Sequence, residues 1–210
     1  MVRWSRKLIG LVLVTSTSAS CTGLSQQFHA TYGGINIEYR VQKGRLKFPD
    51  AKVHVTVVDD RVDKEILGQG ARSSFGSRVL GYLGFGLVYA TVPGEPDFRG
   101  RMDMVEMFQK AFEERLRVNG VAIVPERGKA DLELEVSVRH FRLDFHFSKW
   151  LGEVGLVARL RDKSAILCEE TIHETARKFN VWGYGSGEGA ISEAFNKAIN
   201  EVSFVRCFNS

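Results

Sequence analysis

The stretch from Asp131 to Arg161 leaves the chain few choices of fold. Leu132, Leu134, Val136 and Val138 alternate with mainly polar residues, and Phe141, Leu143, Phe145 and Phe147 do so in the opposite phase. Period two marks a strand with one buried face. An unbroken strand would put the two sets on opposite faces, so a one-residue bulge is expected near Arg139-His140, returning both to one side. Trp150 to Arg161 continues with Val154, Leu156, Ala158 and Leu160 in phase. The segment RDKS then turns the chain, and Ala165–Phe179 follows as a hairpin partner. A sheet of this length must be covered by a second layer.

Two helices supply the cover. Met104, Val105, Phe108, Phe112 and Leu116 recur at spacings of three and four, which predicts an amphipathic helix over Asp103–Val118. Arg115 and Arg117 suit its C-terminal dipole, and Asn119-Gly120 stops it. Ile191, Ala194, Phe195, Ala198, Ile199 and Val202 share a stripe and predict a second helix over Ile191–Val205. The preceding Gly183–Gly189, GYGSGEG, reads as a loop with Ser186 as a candidate cap. KVHVTVVD at Lys52–Asp59 and Val121–Val124 are further strands. The expected fold is α+β: an antiparallel meander sheet with two helices packed on one face, in a single domain over residues 49–210.

The N-terminus points to export. Arg3, Arg6 and Lys7 precede an apolar run, Leu8–Val14, and a small polar run, Thr15–Ser20, leads to Cys21. That is the order of a signal peptide over residues 1–20. The apolar run is far short of the roughly 20 residues that cross a bilayer. A cysteine directly after Ala19-Ser20 resembles the lipobox of bacterial lipoproteins, although Ser18 stands where that pattern prefers Leu. Cys21 is thus the expected lipid attachment site and the first mature residue. Thr22, rather than Asp, follows it, which fits the outer membrane, periplasmic face. An ordinary signal cleaved near Ser18–Ser20, giving a soluble periplasmic or secreted protein, is the alternative. Cys21 to Phe48 shows little periodicity and reads as a tether and irregular lead-in over residues 21–48.

The net charge is +4, and three of those charges sit on Arg3, Arg6 and Lys7, so the mature chain carries +1. A balance so close to neutral gives no reason to expect nucleic acid as a partner. Cys168 and Cys207 remain in the mature chain. Cys168 is in phase with Ile166 and Ile172, so it is either a buried thiol or the partner of Cys207 in a possible disulfide. The bridge would contribute roughly 3–4 kcal/mol in the chain-entropy model.

Residues 68–98 form a Gly-rich, apolar insert. Val79, Leu80, Tyr82, Leu83, Phe85, Leu87, Val88 and Tyr89 are too apolar for a solvated loop, and the glycines disfavour helix. These eight residues are candidate partner-binding residues, unless the segment simply packs over the core.

Several of these parts resemble a family. VHVTVVDDR, a helix ending RVNG before VAIVP, ADLELEVSVRHFRLDF, a hairpin, and the helix EGAISEAFNKAINEV are similar to the uncharacterised YajG-type bacterial lipoproteins, small α+β envelope proteins. The resemblance covers about Lys52 to Val205, the insert excepted, and places Asp59 and Arg61 on the family's strand-end Asp-x-Arg-like segment. It implies an accessory or binding role in the cell envelope and no enzymatic activity.

No catalytic constellation is legible. His140, Asp144 and His146 are the most metal-like set, but Arg142 shares their face, and a solvated strand face explains them without a metal. GYGSGEG lacks the Lys-Ser/Thr of a nucleotide loop. Glu169, Glu170, Glu174, Glu188 and Glu193 have no partner that would make an acid–base pair. The expectation is a non-enzymatic outer-membrane lipoprotein, held to the membrane through its lipid anchor, with an envelope protein as partner and with no cofactor and no metal. The alternative is a periplasmic binding module whose pocket Phe141, Phe145, Phe147 and Trp150 would line for a small or lipid-like ligand.

Overall fold

A computed structural model describes residues 26–32, 35–43, 51–71, 104–180, 184–205 and 207. The main sheet contains β3 (Lys52–Asp59), β4 (Ala122–Ile123), β5 (Leu132–His146), β6 (Lys149–Arg161) and β7 (Ile166–Phe179), in the order β4-β3-β5-β6-β7. It is mixed. β5, β6 and β7 form an antiparallel meander, but β3 runs parallel to both β4 and β5. The expected all-antiparallel sheet is therefore corrected. Alternation fixes which face a residue takes and not the direction of its strand. Parallel neighbours need a crossover, and α1 (Met104–Val118) lies on the path from β3 to β4 and β5.

The bulge in β5 lies at the expected place. The register with β6 shifts between Val138 and His140, and Leu134, Val136, Val138, Phe141 and Leu143 all face the core. Phe147 leaves this series. It sits with Ser148 between β5 and β6, and both have positive φ, 46° and 64°. A two-residue hairpin of this hand matches the strand twist but usually calls on Asn-Gly. The sequence supplies Phe-Ser, and the Phe147 side chain stands 98% exposed.

Helix α2 (Tyr184–Glu201) starts well before the expected Ile191, so Tyr184 to Gly189, YGSGEG, forms its opening turns rather than a loop. Packing overrides the poor propensity of glycine here. A Cβ on Gly187 would lie 2.9 Å from Trp150 Cδ2, and one on Gly152 of β6 would lie 2.5 Å from the Ala190 carbonyl oxygen. Bare backbone is what lets α2 settle on Trp150 and β6. At the other end α2 stops at Glu201, and Val202 and Phe204 turn into the core. A 3-10 turn at Arg127–Lys129 precedes β5.

The expected lead-in is not irregular. Residues Gln26–Tyr32 (β1) and Ile35–Val41 (β2) pair as an antiparallel hairpin. Ile35, Ile37, Tyr39 and Val41 of β2 are buried and alternate with exposed residues, a pattern legible in INIEYRV. The far edge of β2 is held by α2. The N–H groups of Asn36, Glu38, Arg40 and Gln42 donate to Glu188 Oε1, Ser192 Oγ, Asn196 Oδ1 and Asn200 Oδ1. Asn196 and Asn200 return N–H bonds to the carbonyls of Glu38 and Arg40. Four helical residues rise about 6 Å and two strand residues about 6.8 Å, so the two repeats keep step over four contacts.

Candidate interaction surfaces

The buried ionic groups serve the fold. Arg61 is buried at the end of β3, where its Nε lies 2.9 Å from Asp59 Oδ1 and its Nη1 donates to the Phe141 carbonyl at 3.4 Å. That contact ties the strand-end Asp-x-Arg segment to β5 just past the bulge. Burial opposes the charge on Asp59, but hydrogen bonds from Arg61 and Lys64 outweigh it and hold its carboxyl at about 2. A depressed carboxylate contributes stability that is complete above its unfolded value near 4 and is lost as pH falls through the folded one. Acid unfolding of the wild type is thus expected to steepen between about pH 4 and pH 2, and Asp59→Asn to flatten that limb. An unchanged limb in a pH series of urea melts would remove this role.

Asp144 anchors the root of the insert. Its carboxylate accepts the N–H of Ala71 at 3.0 Å and of Phe145 at 2.8 Å, and Arg142 and His146 also reach it. Burial works against the charge, but the N–H groups of Phe145 and Ala71, with His146, hold its carboxyl below the usual range. Gly68 and Gly70 pass so close that a Cβ on either would collide with Asp144 or the Phe145 carbonyl. The N–H of Gly68 also donates to the Leu143 carbonyl at 2.9 Å. The insert therefore departs from the same end of the sheet as the Phe147 turn.

The eight candidate partner-binding residues, Val79, Leu80, Tyr82, Leu83, Phe85, Leu87, Val88 and Tyr89, lie outside the described residues, as does Cys21. Cys168 and Cys207 are joined in a disulfide with Cα atoms 5.8 Å apart. It ties β7 to the segment after α2, where Glu170 also accepts the N–H groups of Ser203 and Phe204, both at 2.8 Å. Cys168→Ala/Cys207→Ala is expected to lose about 4 kcal/mol, the loop-closure figure for a 39-residue separation. A urea midpoint within error of the wild type would contradict this.

His140, Asp144 and His146 do not come together. Asp144 pairs with His146 at 3.1 Å, whereas His140 stacks near His173, with ring centroids 5.6 Å apart. Among the described residues no group of three or more His, Cys, Asp or Glu side chains is arranged to hold a metal. The five glutamates are spread out. Glu169 pairs with Arg159, Glu170 holds the tail, Glu188 holds β2, Glu193 bridges Lys178 and Lys197, and Glu174 lines an open polar groove with Glu38, Asn196 and Lys197.

The four aromatic residues expected around a ligand are divided as well. Phe141 packs edge-on against Phe108 and Phe195 in the core, Trp150 lies against Phe145 and Gly187, and Phe147 points outward. They do not line one cavity. Phe179, 65% exposed, is the other uncovered aromatic among the described residues, and the Lys149 ammonium sits 4.6 Å from its ring centroid. Sequence reasoning missed the Glu188–Ser192–Asn196–Asn200 row, whose four-residue spacing was readable, and it placed Arg115 at the helix C-terminal dipole without its burial, although a spacing of three from Phe112 sets it on the apolar stripe.

No family model and no curated protein matches the chain. Solved structures do. One is a Xanthomonas campestris protein described under the family model DUF330, at 14% identity and TM-score 0.49, covering 78% of this chain and 88% of that one. A second is the hypothetical protein CT253 of Chlamydia trachomatis, at 7% identity and TM-score 0.41, covering 73% of this chain and 94% of that one. A third is lipoprotein GNA1162 of Neisseria meningitidis, at 16% identity and TM-score 0.29, covering 70% and 96%. None of these likenesses assigns an activity.

Proposed function

We propose that this chain is a non-enzymatic, lipid-anchored lipoprotein of the bacterial outer membrane that holds another envelope protein at the end of its domain farthest from the anchor. The lipobox-like order ending in Cys21 and the resemblance to YajG-type lipoproteins support the anchor. The observation that carries the binding role is the polarity of the domain. Gln26, a few residues after Cys21, pairs with Val41 beside the C-terminal end of α2. The insert root at Ala71, the Phe147 turn and Phe179 lie toward the opposite end, where Gly187 meets Trp150. The length of α2 separates the two ends, about 27 Å at 1.5 Å per residue.

An exposed phenylalanine in the left-handed region is costly on its own, since a bulky residue there is a conformational outlier. Contact with a partner accounts for keeping it. Phe147→Asn/Ser148→Gly should therefore raise the melting temperature by a few degrees and, in intact envelopes, reduce chemical cross-linking to the partner by more than half. Deleting residues 76–92 with a short Gly/Ser replacement should reduce it too while leaving the fold. Labelled palmitate should enter the wild type and not Cys21→Ser. Full cross-linking in both the turn variant and the deletion would place the binding surface elsewhere, and failure of the label to enter the wild type would remove the anchor.

A further inference from the structure

The longest free edge among the described residues belongs to β7, the last strand of the main sheet. Short strands, prolines, bulges and charged side chains are the usual protections of an edge, and β7 relies on the last, with Glu169, Glu170, Glu174, Arg177 and Lys178. β7 has no proline, and its register with β6 is regular from Cys168 to Phe179. At its end the Asn180 N–H donates to the Ser148 carbonyl at 2.9 Å. Even-numbered residues of β7 therefore face β6, and odd-numbered ones turn their N–H and C=O groups outward. The Lys197 ammonium, 3.5 Å from the Thr175 carbonyl, reaches one of these outward groups. The side chains of the same odd-numbered residues, Glu169 to Arg177, are all exposed on the sheet face opposite the helices.

We propose that β7 pairs antiparallel with β7 of a second copy about a twofold axis through His173, joining two sheets into one. In that register Glu169 faces Arg177 of the other copy, Thr171 faces Thr175, and His173 faces itself. Acid meets base and threonine meets threonine, both favourable cross-strand pairs. Neither the Glu169–Arg177 pair nor the Thr171–Thr175 pair brings like charges together. The paired residues are also those whose backbone N–H and C=O groups turn outward, so Glu169 to Arg177 would exchange about ten hydrogen bonds across the axis, with the Thr175 carbonyl accepting from Lys197 as well. A slip of two residues either way loses the acid–base match: an axis through Ile172 pairs Glu169 with Thr175 and Thr171 with His173, and one through Glu174 pairs Thr171 with Arg177 and His173 with Thr175. Contact through one identical patch on each copy is the geometry of a closed dimer. Among the described residues, the disulfide and the segment after α2 are held on the helix face, where the side chains of Cys168 and Glu170 point.

Engineered cysteines in the full chain, purified in nonionic detergent, test both pairing and register, since directly opposed Cα atoms about 5.5 Å apart fall within disulfide reach. His173→Cys should form a covalent dimer with itself on oxidation. Thr171→Cys and Thr175→Cys should each stay monomeric on a non-reducing gel and cross-link only when mixed. Glu169→Arg should weaken dimerisation by about tenfold in sedimentation equilibrium, and adding Arg177→Glu should restore it, although the in-chain contact of Glu169 with Arg159 stays broken. Absence of the His173→Cys dimer, self-linking of Thr171→Cys, or failure of the second charge swap to restore affinity would each overturn the pairing.

Discussion

Replacing Arg115 by leucine is expected to lower folding stability by about 2–4 kcal/mol and the melting temperature by roughly 5–15 °C. Arg115 lies on α1 and is only 2% exposed. Its Nη atoms donate to the carbonyls of Ile199 and Asn200, two of the acceptors that the last turn of α2 leaves without helical partners. Two effects compete. Leucine would strand both carbonyls away from water, at about 1–3 kcal/mol each. It would also relieve a buried charge whose Nε has no partner among the described residues. Burial pushes the guanidinium down to about 10, with Glu170 and Glu201 pulling the other way, so it stays charged at neutral pH. The stranded carbonyls win, because the charge is already compensated by two carboxylates and by the negative end of the helix. Arg115→Lys should fall between, since an ammonium cannot present a planar fork to two carbonyls. Urea melts of the three proteins decide it; a leucine variant as stable as the wild type would show that α2 ends without this support.

Local pattern carried part of this fold. The β5 bulge was legible because a change of alternation phase has one cheap structural solution. The antiparallel hairpins were legible because RDKS and the apolar phases of β6 and β7 agree. Strand direction was not, because Val53, Val55 and Val57 alternate identically whether β3 runs with or against β5; only the helix between them hinted at a parallel pair. The opening turns of α2 were hidden for another reason. Gly187 and Gly152 are unfavourable choices locally and become favourable only against Trp150 and Ala190, which the chain brings together by folding. The hairpin β1–β2 shows a legible signal left unread, since INIEYRV alternates as cleanly as KVHVTVVD. For the proposed binding surface, the sequence pointed to the insert by composition, whereas the exposed Phe147 turn beside its root emerged from two positive φ values.

The aromatic cluster ties these layers together, and Phe195→Ala is expected to cost about 3–5 kcal/mol, the usual range for emptying a buried phenylalanine site. Phe195 of α2 lies 4.9 Å from the ring of Phe108 on α1, 6.3 Å from Phe141 on β5 and 5.3 Å from Tyr39 on β2, each time edge to face. Each such pair adds about 0.5–1.5 kcal/mol beyond the area it buries, so the upper part of the range applies. Phe195→Leu keeps much of the apolar volume and loses only the ring geometry, and should cost under half as much. The alanine variant should also loosen the N-terminal hairpin selectively. Tyr39 would lose the Phe195 ring, which weakens the apolar hold of α2 on β2 and shifts more of it to the polar row through Ser192, Asn196 and Asn200. Amide exchange at Glu38 and Arg40 should then accelerate more than exchange in the centre of β5, measured under conditions where both variants remain folded. Equal acceleration in β2 and β5 would mean that the hairpin and the main sheet open as one unit, and that Phe195 supports the core without selectively holding the hairpin.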